Sequence, residues 1–135
     1  MVPSSDAPLG SPLESTSTRI LLVEDEFLIR FMLSDELREA GYQVIEASDV
    51  GEALLVLETI NPDLIISDVR MPGPFDGLDL LGRVRKTAPA LPVIIISGHL
   101  SPSQALINGA TRFIAKPFLF EAVVDAVREA LKKAP

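Results

Sequence analysis

Apolar and polar positions in this chain follow two alternating periods. Short runs rich in Ile, Leu and Val have the length and composition of buried β-strands, and stretches with apolar residues at helical spacing lie between them. Four such runs cover residues 20–23, 64–67, 93–96 and 113–115, and residues 42–47 alternate like a fifth strand. Strands that alternate with helices form a parallel sheet covered on both faces, so the pattern predicts a doubly wound α/β fold, (βα)5.

The predicted helices are recognised by their apolar spacing and by the residues at their ends. The first carries apolar residues at 28, 29, 32, 33, 37 and 40 and ends before Gly41. Ser48 or Asp49 caps the second, which continues to about Ile60. The others cover about residues 78–87, 102–108 and 119–132. The residues expected to face inward are Ala53, Leu54, Val56 and Leu57 in the second helix and Val123, Val124, Val127 and Leu131 in the last.

The composition excludes several classes of protein. A chain of 135 residues with 47% hydrophobic residues fits one domain, and the absence of cysteine excludes disulfides and thiolate metal sites. No apolar run reaches the ~18–20 residues of a membrane span and no signal peptide is evident, so we expect a cytoplasmic protein without a membrane partner. The net charge of −7 argues against nucleic-acid binding through this domain and favours a protein or a small anion as partner.

Residues 1–18 differ in composition from the rest of the chain. They combine three prolines with many serines and threonines and show no apolar period. Such a segment buries too little apolar surface to offset its ordering entropy, so we predict a disordered N-terminal tail. An expression remnant and a linker are equally good explanations for it. Residues 19–135 then form the single folded domain.

Polar residues suited to phosphoryl chemistry follow four of the predicted strands. They are Glu24 and Asp25, Asp68, Ser97 and Lys116. In a parallel sheet these strand ends share one edge, where ligands of open α/β sheets bind. Two carboxylates about 4 Å apart repel by about 4 kcal/mol at an effective dielectric constant of ~20, so the three acids either protonate in part or share a cation.

Mg²⁺ is the cation that best fits such a cluster. Oxygen ligands without cysteine or histidine favour a hard ion, and Mg²⁺ suits a site with few carboxylates that keeps several waters. A carboxylate beside Mg²⁺ is a competent nucleophile toward phosphorus and forms an aspartyl phosphate. Ser97 can donate a hydrogen bond to a phosphoryl oxygen, and Lys116 can supply the opposing charge.

Four motifs resemble, in order and spacing, those of bacterial response-regulator receiver domains. They are VEDE at residues 23–26, SDVRMPG at 67–73, ISG at 96–98 and AKPF at 115–118, and the resemblance covers roughly residues 18–134. It implies a CheY-like fold with strand order 2-1-3-4-5. It also implies that Asp68 accepts a phosphoryl group from a histidine kinase or a histidine phosphotransfer protein. The implied Mg²⁺ ligands are Asp25 and Asp68 directly, Glu24 mostly through water, and the backbone carbonyl of Arg70.

The resemblance further implies a switch. Ser97 and Lys116 would hold the phosphoryl group, with Ser97 moving toward it while Phe113 turns inward. The alternative for Phe113 is a half-buried strand residue. The Lys116–Pro117 bond is expected to be cis. The protein would then be a signalling domain of a two-component phosphorelay rather than an enzyme, with the capacity to catalyse its own phosphotransfer and autodephosphorylation.

The resemblance also places the output surface. The face of the fourth helix, fifth strand and fifth helix is the family's usual docking or dimer surface, so we expect a downstream protein target and a monomer or weak homodimer. The residues expected to be exposed on this face are Arg112, Glu121, Asp125 and Arg128.

Two departures from the resemblance leave alternatives open. The loop of residues 71–77 is one residue longer than the common form, which keeps open a second reading, an interaction module that no longer takes phosphate. No helix-turn-helix or basic region follows before Pro135, so we expect either a stand-alone receiver or a fragment. A phosphohydrolase with an aspartyl nucleophile is a third reading, but it usually needs an acid two residues after the nucleophile, where this chain has Arg70.

Overall fold

Five strands alternate with five helices in the computed structural model, which describes residues 18–132. The strands are β1 Arg19–Val23, β2 Gln43–Ala47, β3 Leu64–Asp68, β4 Val93–Ser97 and β5 Arg112–Ala115. The helices are α1 Phe27–Glu39, α2 Val50–Thr59, α3 Gly77–Thr87, α4 Pro102–Ile107 and α5 Phe120–Lys132. The predicted tail lies outside the described residues except for Thr18. Within the described part of the chain, no helix has both the length and the apolar character needed to cross a membrane.

All five strands pair in parallel in the order β2-β1-β3-β4-β5, which confirms the predicted order 2-1-3-4-5. The register aligns Val23 with Ser67, and Asp68 with Ile96. Ser97 is aligned in turn with Ala115 on β5. The strands therefore end within two residues of one another, and the polar residues that follow them meet at one edge of the sheet.

The core consists of two apolar layers, one on each face of the sheet. Strand residues alternate between the layers, and β3 and β4 are buried along their whole length, as the continuous apolar runs predicted. One layer is covered by α2, α3 and α4, and its fully buried side chains include Leu21, Ile65, Leu80, Leu81 and Ile95. The other is covered by α1 and α5 and includes Ile20, Leu33, Leu37, Ile66, Ile94 and Val127. Each such Leu, Ile or Val contributes about 1.5–3 kcal/mol.

The predicted helix faces agree with the structure in α2 and α5. Ala53, Val123, Val124 and Val127 are buried, while Leu54, Val56, Leu57 and Leu131 are partly buried against the core. Helix α1 differs. Leu33 and Leu37 enter the core, whereas Leu28 and Met32, which belong to the same apolar pattern, are 65% and 42% exposed. The pattern continues around this helix, so its period alone does not identify the buried face.

The caps of three helices are formed by side chains close to the predicted boundaries. The Asp49 carboxylate accepts a hydrogen bond from the Glu52 N–H at 2.7 Å, which selects Asp49 over Ser48 as the cap of α2. Asp76 and Asp79 form a capping box at the start of α3. Ser101 and Gln104 form another at α4, where Pro102 occupies the first turn.

The start of α3 lies directly against the end of β3. The Gly77 N–H donates to the Val69 carbonyl at 2.8 Å, so the loop of residues 71–77 returns to the strand that it leaves. A Cβ atom on Gly77 would lie 2.1 Å from the backbone oxygen of Asp68. Only glycine fits here without a shift of the backbone beside Asp68.

We expect Gly77→Ala to lower the free energy of unfolding by about 1–3 kcal/mol, because the added methyl group overlaps backbone atoms. Gly82→Ala is the matched control in the same helix, where a Cβ would meet no atom within 4 Å. It should stabilise the protein by about 0.5–1 kcal/mol, because glycine is a poor helix former. Urea unfolding followed by circular dichroism measures both changes. Equal stability of Gly77→Ala and the wild type would contradict the close approach.

Candidate functional site

Three carboxylates converge at the edge where the strands end. Glu24 follows β1, Asp25 comes next, and Asp68 is the last residue of β3. Each offers an oxygen that lies within 4.8 Å of an oxygen of the other two. Glu24 and Asp68 are buried, at 3% and 8% exposure, whereas Asp25 is exposed. The cluster is thus open to solvent on the side of Asp25.

Within residues 18–132, one ammonium group lies among these acids. Lys116 follows β5, and its Nζ contacts Asp68 Oδ2 at 2.9 Å and Glu24 Oε1 at 3.4 Å, with Glu26 Oε1 at 4.0 Å. Its backbone N–H donates to the Ser97 carbonyl at 3.0 Å, which extends the β4–β5 pairing, and the Lys116–Pro117 bond is cis as expected. The lysine side chain therefore reaches past the end of β4 to the acids of β1 and β3.

The Asp68 side chain is held at both oxygens. Its Oδ1 accepts from the Val69 N–H at 2.7 Å, and its Oδ2 accepts from Lys116. The Ser67 hydroxyl donates a hydrogen bond to the Asp68 backbone oxygen at 2.8 Å. Gly77 lies close to the same backbone oxygen. The carboxylate is thereby fixed in position and orientation.

Burial and the neighbouring charged groups shift the pKa values of Glu24 and Lys116. Burial is the main cause that raises the pKa of Glu24; the Glu26 N–H opposes it, and the charge of Asp68 adds to it. Burial by itself would lower the pKa of Lys116, but the hydrogen bond and charge of Asp68, with a further contribution from Glu24, outweigh burial and raise it. One lysine does not neutralise three carboxylates, so the cluster favours an additional cation. Its oxygen-only ligands fit Mg²⁺.

The other predicted site residues lie around this cluster. Ser97 is buried at the end of β4, and its hydroxyl oxygen accepts from the N–H groups of His99 and Leu100 at 3.0 and 3.1 Å. Phe113 is half-buried on β5 and packs against the core layer under α2, α3 and α4. Arg70 follows Val69 with an exposed side chain. The structure thus joins Glu24, Asp25, Asp68 and Lys116, and the roles of Ser97, Phe113 and the Arg70 carbonyl stay predictions.

The sequence patterns did not predict that Arg30 contacts this site. Arg30 on α1 donates from Nη1 to the Glu24 backbone oxygen at 2.7 Å and from Nε to Glu46 Oε1 at 3.2 Å. A carbonyl acceptor can belong to any residue, so it leaves no signal in the sequence. The sequence shows only the position of Arg30, about one and a half turns after the two acids that precede α1.

Comparison with known proteins identifies the family. The sequence profile described as "Response regulator receiver domain" matches residues 20–128. The chain belongs to this family. The resemblance found in the four motifs is therefore confirmed, and with it a signalling domain of two-component systems in which the phosphoacceptor role is general. Receiver domains also generally bind Mg²⁺ at an acidic pocket, and the three carboxylates form such a cluster here.

The receiver domain is similar to parts of longer regulators. The transcriptional regulatory protein PdtaR of Mycobacterium tuberculosis is 34% identical over 134 residues, covering 97% of this chain and 62% of PdtaR. The response regulator protein FleR of Pseudomonas aeruginosa is 37% identical over 123 residues, covering 88% of this chain and 26% of FleR. The chain spans less than two thirds of the length of these relatives.

Solved receiver structures share the fold. The receiver domain of the Francisella response regulator 1452 aligns with a TM-score of 0.81 at 30% identity, covering 87% of this chain and 99% of that one. The response regulator TrrA of Thermotoga maritima, solved in complex with Mg²⁺-BeF, aligns with a TM-score of 0.75 at 33% identity, covering 84% and 98%.

The raised pKa of Glu24 predicts a pH-dependent stability of the metal-free receiver. The folded state binds this proton more tightly than the unfolded state, so stability falls as pH rises from the unfolded pKa through the folded one. Glu24→Gln keeps an oxygen for the Glu26 N–H and removes the charge. In EDTA it should therefore melt at a higher temperature than the wild type at pH 7, with the difference shrinking toward about pH 4.

The matched control is Glu58→Gln, which removes the same charge from an exposed position on α2. Its melting temperature should follow the wild type across this range. A Glu24→Gln protein that is no more stable than wild type at pH 7 in EDTA would contradict the electrostatic account.

Proposed function

We propose that this receiver domain accepts a phosphoryl group on Asp68 from a phosphohistidine protein, in the presence of Mg²⁺, and that phosphorylation changes its binding to a downstream protein. The observation that carries the proposal is the Asp68 carboxylate, bonded to Lys116 at 2.9 Å and grouped with Glu24 and Asp25 at an edge open to solvent. This combination supplies a nucleophile, a cation for the phosphoryl oxygens and a set of metal ligands in one place.

The transfer needs few protein groups. An Asp68 oxygen attacks phosphorus as the phosphorus–nitrogen bond of the donor imidazole breaks, and the imidazole leaves with the electron pair of that bond. Lys116, already among the acids, redirects its ammonium toward the phosphoryl oxygens and offsets their charge. Asp25 and Asp68 would hold Mg²⁺ directly and Glu24 mostly through water, with the Arg70 carbonyl as a further ligand; the ion would neutralise charge on the transferring group. The TrrA complex with Mg²⁺-BeF supports this assignment.

The response begins at Ser97. Its hydroxyl oxygen now accepts hydrogen bonds from two backbone N–H groups in the loop that leads to α4. When the side chain moves to donate its O–H to a phosphoryl oxygen, the hydroxyl oxygen is drawn away from these two donors. Loss of those two bonds frees the segment before the Ser101 cap of α4. Phe113, half-buried beneath this helix layer, turns inward as the loop moves.

The expected output face carries both charged and apolar groups. Glu121, Asp125 and Arg128 are exposed, whereas Arg112 is only partly so. Leu106 and Ile107 at the end of α4 are 53% and 85% exposed, which suits contact with another protein. Rearrangement of α4 would present these side chains differently to the downstream target.

A phosphoacceptor predicts one phosphoryl adduct in intact-mass spectrometry after incubation with acetyl phosphate and Mg²⁺. Asp68→Asn should show none, because the amide is not a nucleophile for this transfer. Asp125→Asn, an exposed aspartate of α5, is the control and should be modified like wild type. Equal labelling of Asp68→Asn would refute the acceptor assignment. A folded wild type without an adduct would favour the interaction module that takes no phosphate.

An apolar surface next to the site suits the phosphodonor protein. Phe27, Leu28 and Phe31 on α1 are 66%, 65% and 56% exposed, and the rings of Phe27 and Phe31 stack at 6.0 Å. A groove of about 350 Å³ adjoins α1 at Ile29 and is otherwise lined by Lys116, Pro117, Phe118 and Phe120. Large exposed apolar patches mark protein contacts, and Lys116 connects the neighbouring groove to Asp68.

The test uses a histidine kinase that phosphorylates the wild type. We expect Phe31→Ala to slow phosphoryl transfer from this kinase by about 10-fold or more, because buried aromatic anchors dominate protein interfaces. Uptake from acetyl phosphate should not change, since a small donor does not need the α1 surface. Leu55→Ala, which removes a leucine 64% exposed on α2, is the control. Unchanged transfer from the kinase to Phe31→Ala would exclude this docking site without affecting the acceptor assignment.

A further inference from the structure

Arg30 connects the acidic loop to the edge strand β2. Its side chain is only 16% exposed, and its Nη1 donates to the Glu24 backbone oxygen at 2.7 Å. Its Nε donates to Glu46 Oε1 on β2 at 3.2 Å. The ring of Phe27 lies 5.6 Å from the guanidinium carbon and covers one side of it. One partly buried cation therefore bridges the loop that carries two acids and the neighbouring strand.

The hydrogen bond from Arg30 holds a carbonyl group, that of Glu24, which takes no part in the backbone hydrogen bonds of α1. The first of those backbone bonds runs from the Arg30 N–H to the Glu26 oxygen at 2.9 Å, so the Glu24 carbonyl precedes it. This carbonyl belongs to the peptide plane between Glu24 and Asp25. Its orientation fixes the backbone angle ψ of Glu24 and φ of Asp25, and with them the course of the chain through the two acids.

Both sides of Glu24 are thereby tied to β2. The Glu24 N–H donates to the Ala47 oxygen at 3.0 Å, and the Glu24 carbonyl reaches Glu46 through Arg30. Without Arg30 the N–H tether remains, but the peptide plane after it can rotate. Asp25, exposed and next in sequence, would lose its fixed direction.

We infer that Arg30 is a positioning residue for the metal site: it holds the Glu24–Asp25 peptide so that the acids converge with Asp68 before a cation binds. The inference rests on the proposed Mg²⁺-dependent function. Groups that orient metal ligands typically account for about 10–100-fold in metal affinity. A site whose ligands are already in place loses less conformational entropy on binding.

Arg38 provides a matched control on the same helix. It donates to the other oxygen of Glu46, Oε2, at 3.2 Å, but its second bond goes to the Val44 carbonyl at 3.0 Å. Arg38 thus shares the partner on β2 without touching the acidic loop. A purely structural role for the arginine–glutamate contacts would affect variants of the two residues alike.

The test measures Mg²⁺ dissociation constants by calorimetry without a phosphodonor, together with melting temperatures in EDTA. Arg30→Met should bind Mg²⁺ about 10-fold more weakly than wild type, Arg30→Lys should lose less because it keeps one donor, and Arg38→Met should stay within about twofold. Saturating Mg²⁺ should restore acetyl phosphate uptake by Arg30→Met. If Arg30→Met does not fold, the comparison of Arg30→Lys with Arg38→Lys takes its place.

Mg²⁺ affinities of the Arg30 variants equal to wild type, or reduced no more than those of the Arg38 variants, would overturn the positioning role and leave the proposed function intact. Absence of Mg²⁺ binding by the wild type is a different result, which would remove the metal site itself and this inference with it. Loss of affinity confined to the Arg30 variants supports the inference.

Discussion

The ion pair between Lys116 and Asp68 spans the ends of three strands and determines how the site can work. The lysine follows β5 and the aspartate ends β3, so the 2.9 Å contact passes the end of β4, where Ser97 lies. This single ammonium group balances the buried Glu24 and Asp68 only in part. A group added to Asp68 would compete with the Asp68 carboxylate for the hydrogen bond from Lys116. A negatively charged group would draw the lysine ammonium away from Glu24. A modification of Asp68 would therefore be transmitted toward β1 and β5 through the Lys116 side chain.

Much of this site could be predicted because it depends on sheet geometry. Parallel strands must end at a common edge, so polar residues directly after Val23, Ser67 and Ala115 had to meet, and Glu24, Asp68 and Lys116 do. The strand order came from the resemblance of the motifs rather than from periodicity. Registers and side-chain contacts required the structure.

Other contacts and surfaces of this site could not be recognised from the types of residue in the sequence. The bond from Arg30 to the Glu24 carbonyl could not be anticipated, since every residue has a carbonyl. The exposed face of α1 could not be distinguished from its buried face by composition, because Phe27, Leu28 and Phe31 are as apolar as the residues that pack inside. The Ser97 hydroxyl was expected among the phosphoryl ligands, yet its present partners are backbone N–H groups of the following loop, a choice set by local turn geometry.

The attachment of Glu24 to β2 links the chemistry of the site to one edge of the sheet. β2 is an edge strand, and most of its residues are only partly buried. Edge elements of this kind open in local fluctuations that leave the rest of a domain folded. Each such opening would release the Ala47 and Glu46 tethers together and disperse the acids while β3 and β4 stay intact. The fraction of molecules ready to bind a cation would then depend on the local unfolding equilibrium of a strand that supplies none of the three carboxylates.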